Sequence, residues 1–174
     1  MTESARLIIR DARRADRQAA HDVTMSAYQQ YATAMPDWAW SEYRQNLEEN
    51  VLHPEPAQQF VAELDGAIVG SVLLFPPGYT SNDPDPAVAP QGPEIRLLAV
   101  APTARGQGIG KALVQECIRR AREVGYSVIH LHTTEIMQIA MEMYERMGFE
   151  RAPELDFAPA PDILIKGYRM NLSA

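Results

Sequence analysis

The stretch EIRLLAVAPTARGQGIGK, residues 94–111, decides the fold of this chain. Its first part, residues 94–100, is rich in branched apolar side chains and predicts a β-strand. A glycine-rich turn follows, and residues 108–124 then repeat apolar side chains at helical spacing, with Gly125 placed to end the helix. The first N–H groups of a helix have no intrahelical acceptor and carry the positive end of its dipole. This strand, turn and helix therefore predict an anion-binding site.

The spacing of the glycines argues against two nucleotide-binding families. A P-loop would need Gly and Ser or Thr at the positions of Arg105 and Ala112. A dinucleotide fingerprint needs the spacing Gly-x-Gly-x-x-Gly, whereas Gly106, Gly108 and Gly110 alternate strictly. A glycine-rich entry into a helix without any ligand remains the alternative at this point.

The hydrophobic pattern on either side of this stretch predicts alternating strands and helices. Strands are predicted at 6–12, 59–64, 67–75, 126–133, 149–151 and 163–170, the second and third joined by the tight turn Asp65-Gly66. Helices are predicted at 16–34 with Asp16 as the N-cap, at 41–52 after a connector at 35–40, and at 136–147. The apolar face of the last helix consists of Ile136, Ile139, Ala140, Met143, Tyr144 and Met147. The order β-α-α-β-β-β-α-β-α-β-β predicts an α+β fold with a mixed sheet, and 174 residues predict a single domain, 1–174.

Proline is unevenly distributed along the chain. Six of the 13 prolines fall within residues 76–93, a segment without sustained periodicity. A connection of this length is unusual in a compact domain. Two interpretations stay open for this insertion: a tolerated or disordered loop, and a lid over the substrate.

The charge balance narrows the class of partner. Sixteen Lys and Arg oppose 23 Asp and Glu, which excludes a general nucleic-acid binder and leaves room for a cationic small molecule or a basic peptide. Residues 96–125 nevertheless carry six basic and two acidic side chains, so a cationic segment coincides with the predicted anion site.

The single cysteine, Cys117, rules out an intramolecular disulfide and a zinc site with several thiolates. It favours a reducing, cytoplasmic location, and the chain has neither a recognisable signal peptide nor an 18-residue apolar stretch. His130 and His132 share one face of a predicted strand, but no third ligand accompanies them. We therefore expect no metal and no membrane association.

Two motifs make the chain resemble the GNAT superfamily of acetyl-CoA-dependent N-acetyltransferases. The first is Leu-x-Val with a nearby proline followed by Arg/Gln-x-x-Gly-x-Gly/Ala, which occurs here as residues 98–102 and 105–110. The second is Tyr-x-x-x-Gly-Phe, which occurs as residues 144–149. The resemblance implies the GNAT fold, a mixed and mostly antiparallel twisted sheet flanked by helices, and acetyl-CoA as co-substrate.

The resemblance also implies roles for individual residues. The backbone of Leu98, Ala99 and Val100 would bind the pantetheine arm, and Tyr144 would protonate the leaving thiolate, with a core tyrosine as the alternative. Many members of the family have Asn, which contacts the cofactor, where this chain has Met137, and a thioether cannot replace the amide hydrogen bonds. The pyrophosphate would be held by the turn and its flanking charges, namely Arg105, Gly106, Gln107, Gly108, Ile109, Gly110 and Lys111.

An acceptor amine must lose a proton before it attacks, because an alkyl ammonium has a pKa near 10. Some GNAT enzymes that modify lysine side chains keep a glutamate base at the position of Glu94, which makes Glu94 the first candidate. The alternative for Glu94 is a strand-edge residue that is solvated or paired with a nearby Arg. His132 and Glu135 are the second choices. A cation–π surface for the amine is predicted from Tyr28, Tyr31, Trp38 and Trp40, with ordinary burial of these rings as the alternative. The expected activity is acetylation of a small-molecule amine. A protein acetyltransferase and a non-catalytic acyl-CoA sensor are the alternatives, and the family resemblance allows a homodimer.

Overall fold

Eight β-strands and four α-helices alternate along residues 4–79 and 91–173, the part of the chain that this computed structural model describes. The strands are β1 (Leu7–Asp11), β2 (Gln58–Leu64), β3 (Ala67–Phe75), β4 (Glu94–Val100), β5 (Val128–Thr133), β6 (Glu150–Arg151), β7 (Phe157–Ala160) and β8 (Ile163–Asn171). The α-helices are α1 (Arg17–Tyr28), α2 (Asp37–Leu52), α3 (Ile109–Val124) and α4 (Gln138–Arg146). The predicted α+β class is confirmed: the sheet is mixed and mostly antiparallel, with helices flanking it.

The chain divides into two compact units, each formed by two segments. Unit 1 comprises Met1–Leu73 and Leu97–Glu116, and unit 2 comprises Leu74–Arg96 and Cys117–Ala174. Strands β3 and β4 and helix α3 contribute residues to both.

Unit 1 is built on the strand order β1-β2-β3-β4, with β1 antiparallel to β2. Asp65 and Gly66 both have positive φ, 50° and 86°, as a two-residue hairpin turn requires, so the predicted turn is confirmed. Ala20 of α1, Val51 of α2 and Val61 of β2 form a buried cluster that fixes the two helices on the sheet.

Unit 2 is built on the order β4-β5-β8-β6, with β7 paired to β8. Strand β4 runs parallel to β5, in a register that places Glu94 opposite His130. Strand β5 is antiparallel to β8 over its whole length. Gly125 ends α3 at φ 95°, the left-handed conformation expected of a C′ glycine.

The first two helices differ from the prediction. Helix α1 ends at Tyr28 and the chain continues as a 3₁₀ helix over Gln29–Ala34. Helix α2 begins at Asp37, four residues before the predicted start. Pro36 occupies the N-cap in an extended conformation, with φ −58° and ψ 148°, and Asp37 in the first turn complements the positive end of the helix dipole. Asp16 does occupy the N-cap of α1, but its carboxylate accepts from Arg10 and from the backbone N–H of Arg13.

The last predicted helix is shorter and less buried than its pattern indicates. It begins as a 3₁₀ turn, Glu135–Met137, and only Tyr144 of α4 is buried. Ile139 is 85% exposed and Ile136 is 38% exposed. The predicted apolar face was therefore wrong at Ile136 and Ile139. Ile136 lies in the 3₁₀ turn, where the angular spacing of side chains differs from that of an α-helix.

Strand β7 was not predicted. Its sequence, Phe-Ala-Pro-Ala, shows no alternation, and a central proline argues against a strand. Proline is tolerated here because β7 pairs with β8 alone among the described strands, so the missing N–H costs no ladder hydrogen bond. Most of the proline-rich insertion, residues 80–90, lies outside the described residues, and both interpretations of it remain predictions.

Candidate active site

Strand β4 is kinked at Leu97, the fourth residue of the strand. Leu97 has φ 54°, a left-handed conformation that branched and bulky residues seldom adopt. The residues that follow the kink, Leu98 to Val100, are those to which the GNAT resemblance assigns the pantetheine arm. A kink interrupts the regular ladder of a strand, which leaves backbone groups available for a ligand or a side chain.

One side chain reaches the backbone directly after this kink. The hydroxyl of Tyr28, on α1, donates a hydrogen bond to the carbonyl oxygen of Leu98 at 3.0 Å. Tyr28 is only 7% exposed. Sequence analysis assigned Tyr28 to the acceptor surface, whereas the structure shows it bonded to β4.

The glycine-rich turn has the geometry that an anion site needs. Gly106 and Gly108 have φ of 78° and 74°, and a Cβ placed on either would meet no atom within 4 Å. Helix α3 begins directly afterwards, with the N–H of Ala112 bonded to the carbonyl of Gly108. Open space therefore lies over the two left-handed glycines at the positive end of a 16-residue helix.

The two charged side chains of the turn differ in their contacts. Lys111 is exposed on the first turn of α3. The guanidinium of Arg105 donates to the carbonyl of Ala27 and to Oε1 of Gln30, each at 3.3 Å. Arg105 thus lies at the C-terminal end of α1, where a cation is favourable. The sequence predicted only that Arg105 adds positive charge to the turn, and the structure shows in addition that its guanidinium is hydrogen-bonded to the end of α1.

Three of the four predicted acceptor residues belong to one aromatic group, and the fourth does not. The ring centroid of Tyr28 lies 5.7 Å from that of Tyr31 and 6.0 Å from that of Tyr43, and Trp40 lies 6.3 Å from Tyr43. Burial raises the pKa of both Tyr31 and Tyr43. Trp38 is 61% exposed. Tyr43 was missed by the sequence analysis, although its spacing of three residues from Trp40 on a helix was a usable signal.

In unit 2, Glu94 and His132 form a buried hydrogen-bonded pair. Oε1 of Glu94 lies 2.7 Å from Nδ1 of His132, and Oε2 accepts from the guanidinium of Arg96 at 2.7 Å. The Nε2 atom of His132 lies 2.9 Å from the carbonyl oxygen of Leu155. Since a carbonyl can only accept, Nε2 carries a proton, and the proton shared with Glu94 sits at Nδ1. Glu94 and His132, the first and second candidate bases, therefore form a single hydrogen-bonded pair.

The ionisation of this pair follows from its contacts. Burial alone would raise the pKa of the Glu94 carboxyl, but the hydrogen bond from His132 and the charge of Arg96 outweigh it and hold that pKa below its usual range. Burial alone would lower the pKa of His132, but the hydrogen bond and charge of Glu94 raise it. In the form in which both ring nitrogens of His132 donate, to Glu94 and to the Leu155 carbonyl, the pair consists of a carboxylate and an imidazolium. This form accepts a proton only after it has released one.

Aromatic side chains surround this charged cluster. The guanidinium of Arg96 lies 4.6 Å from the ring centroid of Phe75, which stacks on Tyr79 at 5.0 Å. The ring of His132 meets Phe157 edge-on at 5.4 Å. Pairing with a nearby Arg was the alternative predicted for Glu94, and Arg96 is that partner, because its i, i+2 spacing on a strand places both side chains on one face.

The pair makes folding stability depend on pH in a predictable direction. The contribution of His132 is fully present below its ordinary pKa of about 6.5 and is lost as pH rises through its raised value. The contribution of Glu94 is present above about pH 4.3 and is lost as pH falls through its lowered value. We expect a double-mutant cycle of Glu94→Gln and His132→Asn, measured by urea unfolding, to give about 1.5–3 kcal/mol of coupling at pH 5.5. The coupling should fall below about 1 kcal/mol at pH 9.5.

The matched control is the ion pair of Arg151 and Asp156, whose two hydrogen bonds are both 2.8 Å long. Neither partner titrates between pH 5.5 and 9.5, since Asp156 has a lowered pKa and Arg151 a raised one. Its coupling should stay constant over that range. A Glu94–His132 coupling that is equally constant would contradict the assigned ionisation.

Three further predicted site residues, Tyr144, Met137 and Glu135, lie on or next to helix α4. Tyr144 is buried on α4, and its ring meets Phe149 edge-on at 5.8 Å. Met137 lies at the N-cap of α4. The side chain of Glu135 is 77% exposed, and its carboxylate is bonded to Lys166 at 2.7 Å, which lowers its pKa.

The two strand histidines do not form a metal site. Both ring nitrogens of His132 are occupied by Glu94 and Leu155. His130 is buried, its Nδ1 atom has no hydrogen-bond partner, and burial lowers its pKa. No group of three or more His, Cys, Asp or Glu side chains suited to a metal occurs in the described residues. Across the same residues, no helix is both long and apolar enough to cross a bilayer.

The mixed sheet flanked by helices, the kinked strand β4 and the glycine-rich turn at the start of α3 match the fold that the GNAT resemblance implied. A model of the acetyltransferase (GNAT) family matches residues 20–149, which is more than half of the chain, and the chain belongs to this family.

Individual relatives resemble parts of the chain. Human N-acetyltransferase 8B is 35% identical over 98 residues, which cover 56% of this chain and 40% of that protein. Mycothiol acetyltransferase from Cellulomonas flavigena is 35% identical over 109 residues, 62% of this chain and 31% of that protein. The chain thus spans less than half the length of these curated relatives. A crystal structure of a GNAT family acetyltransferase from Brucella melitensis in complex with acetyl-CoA has the same fold, with a TM-score of 0.64 and 20% identity over 97% of this chain and 90% of that one.

Proposed function

We propose that this chain is an N-acetyltransferase that transfers the acetyl group of acetyl-CoA directly to a primary amine of a small molecule. We further propose that residues 1–174 constitute one GNAT domain. The observation that carries the proposal is the turn at Gly106 and Gly108, where two left-handed glycines leave open space at the start of α3. The acetyl-CoA complex of the Brucella melitensis protein, which shares the fold, supports the choice of co-substrate.

The turn suits a pyrophosphate for physical reasons. Backbone N–H groups at the start of α3 supply directed donors, and the absence of Cβ atoms at both glycines lets phosphate oxygens approach them. Lys111 supplies a flexible positive charge on the same turn of the helix. The backbone of Leu98, Ala99 and Val100, after the kink in β4, holds the pantetheine arm and polarises the thioester carbonyl.

The chemistry requires two proton transfers, and the chain has a candidate for each. The Glu94–His132 pair, in the form that has lost its shared proton, takes one proton from the ammonium of the acceptor. The neutral amine nitrogen forms a bond to the thioester carbon, and the carbon–sulfur bond breaks. Tyr144 gives its phenolic proton to the leaving thiolate and regains one from the nitrogen, which loses its second proton as the amide forms.

The acceptor amine is received by the aromatic side chains of Tyr31 and Trp40, which are half-buried, together with the exposed Trp38. Such rings attract an ammonium by cation–π contact. Their small number favours a small molecule over a protein segment as the acceptor. The protein acts in the cytoplasm, in keeping with its single cysteine, and as a homodimer, in keeping with the family resemblance.

A thiol-release assay tests the proposal with a panel of primary amines, including polyamines, amino acids, aminoglycosides and a peptide with a free N-terminus. We expect turnover of at least one small amine. The rate constant kcat/KM should rise with pH through an apparent pKa above 6.5 that belongs to the Glu94–His132 pair, because only the deprotonated pair accepts the proton. Glu94→Gln should move this rise to lower pH, because burial lowers the pKa of His132 once the charge of Glu94 is removed.

Three other results would point elsewhere. Tight binding of acetyl-CoA without turnover of any amine would identify a sensor. Turnover confined to the peptide would identify a protein acetyltransferase. A pH profile that is the same in Glu94→Gln as in the unmodified protein would remove the pair from the mechanism.

A further inference from the structure

The end of helix α1 is bonded to both parts of the proposed acetyl-CoA site in unit 1. The hydroxyl of Tyr28 donates to the carbonyl of Leu98 on β4, although the two residues are 70 positions apart in the sequence. One residue earlier, the carbonyl of Ala27 accepts from the guanidinium of Arg105 in the turn. These contacts connect α1 to the strand and to the turn at the same time.

The backbone conformation of strand β4 at Leu97 requires support from neighbouring contacts. Leu97 adopts a left-handed φ of 54°, which is unfavourable for a residue with a branched side chain and persists only where neighbouring contacts hold it. The pairing of β4 with β5 covers Glu94 and Ile95, before Leu97. A carbonyl beyond that pairing gains from another donor, because a shielded polar group without a partner is costly. The Tyr28 hydroxyl supplies that donor directly after the kink.

Tyr28 is itself fixed in position. It is 7% exposed, and its ring packs against Tyr31 and Tyr43. A phenol whose ring is packed on two sides delivers its hydroxyl to one place, unlike a flexible surface side chain. The contact therefore defines where Leu98 lies.

We propose that Tyr28 is a positioning residue for the co-substrate: by holding the Leu98 carbonyl it keeps strand β4 kinked in the form that binds the pantetheine arm. This proposal rests on the proposed function, since it presumes that residues 98–100 bind that arm. It gives Tyr28 a role that acts through the backbone of β4 and that is separate from acceptor binding.

The test compares two ligands that share the phosphates but differ in the pantetheine arm. Calorimetry measures the affinity of Tyr28→Phe for CoA and for 3′-phosphoadenosine 5′-diphosphate, which keeps all three phosphates of CoA and lacks the arm. We expect CoA binding to weaken about tenfold, the loss of a single well-placed hydrogen bond, while the affinity for the nucleotide without the arm changes less than twofold. The matched control is Tyr43→Phe, which removes a hydroxyl from the neighbouring ring and should change neither affinity more than twofold.

A second variant tests whether the effect passes through the kink. Glycine adopts a left-handed φ without strain, so when Leu97→Gly is already present, adding Tyr28→Phe should weaken CoA binding less than threefold. A tenfold loss for both ligands, an unchanged CoA affinity, or a full tenfold loss in the presence of Leu97→Gly would each overturn the positioning role. Failure of the unmodified protein to bind either ligand would instead overturn the proposed function itself.

Discussion

Gly108→Trp is expected to weaken the binding of CoA at least 100-fold while the protein remains folded. Gly108 has φ 74°, and a side chain placed there would project into space that holds no protein atom within 4 Å of the Cβ position. An indole in that space would keep the phosphates away from the N–H groups at the start of α3, which are the donors that the proposed site depends on. Calorimetric titration with CoA measures the loss.

The substitution also strains the backbone, and this cost must be separated from the loss of the ligand. A side chain in the left-handed region costs about 1–2 kcal/mol of stability. Gly66→Trp is the matched control, because Gly66 also has a positive φ, 86°, and open space at its Cβ position, but lies in the hairpin between β2 and β3. Both variants should lose similar stability, and only Gly108→Trp should lose CoA binding. Retained affinity in Gly108→Trp would show that the phosphates bind elsewhere.

Tyr144→Phe is expected to lower kcat about 100-fold with little change in the KM for acetyl-CoA. Removal of the hydroxyl takes away the proposed donor to the leaving thiolate but keeps the ring and its edge-on contact with Phe149. General-acid catalysis by a positioned side chain contributes about 10²–10⁴-fold. Because the proton is needed only as the carbon–sulfur bond breaks, the loss belongs in kcat.

Tyr168→Phe is the matched control for this variant. Tyr168 is another buried phenol of unit 2, 1% exposed, and its hydroxyl donates to Glu145 at 2.8 Å. Its removal should cost about 1 kcal/mol of stability and leave kcat within twofold. If Tyr144→Phe turns over at the rate of Tyr168→Phe, then Tyr144 is a packing residue and the thiolate is protonated by another group.

The glycine-rich turn and its flanking elements could be predicted from local sequence alone. Residues 94–124 predict a strand, a turn and a helix, and all three occur, with the strand at the bounds expected for it. Glycine, proline and apolar periodicity act through the local backbone, so they can be recognised without knowledge of the rest of the chain. Where the periodic signal is missing, as in the Phe-Ala-Pro-Ala strand β7, the prediction failed.

The state of the candidate base illustrates what local sequence cannot supply. Glu94 and His132 were ranked as separate candidates, and their separation of 38 positions contains no hint that they share a proton. A pKa depends on burial and on the charges within a few ångströms. Both quantities arise only when Arg96, His132 and the Leu155 carbonyl are brought around Glu94 by the fold.

The family, the order of most elements and the turn proposed for the phosphates can therefore be recognised from the sequence, because they depend on residues that are neighbours along the chain. Folding is needed to bond Tyr28 to Leu98, to bring Arg105 to the end of α1, and to make Glu94 an ionised partner of His132. These contacts join residues that are 38 to 78 positions apart. Hydrogen bonds and charges act over a few ångströms in space, and only the folded chain sets those distances.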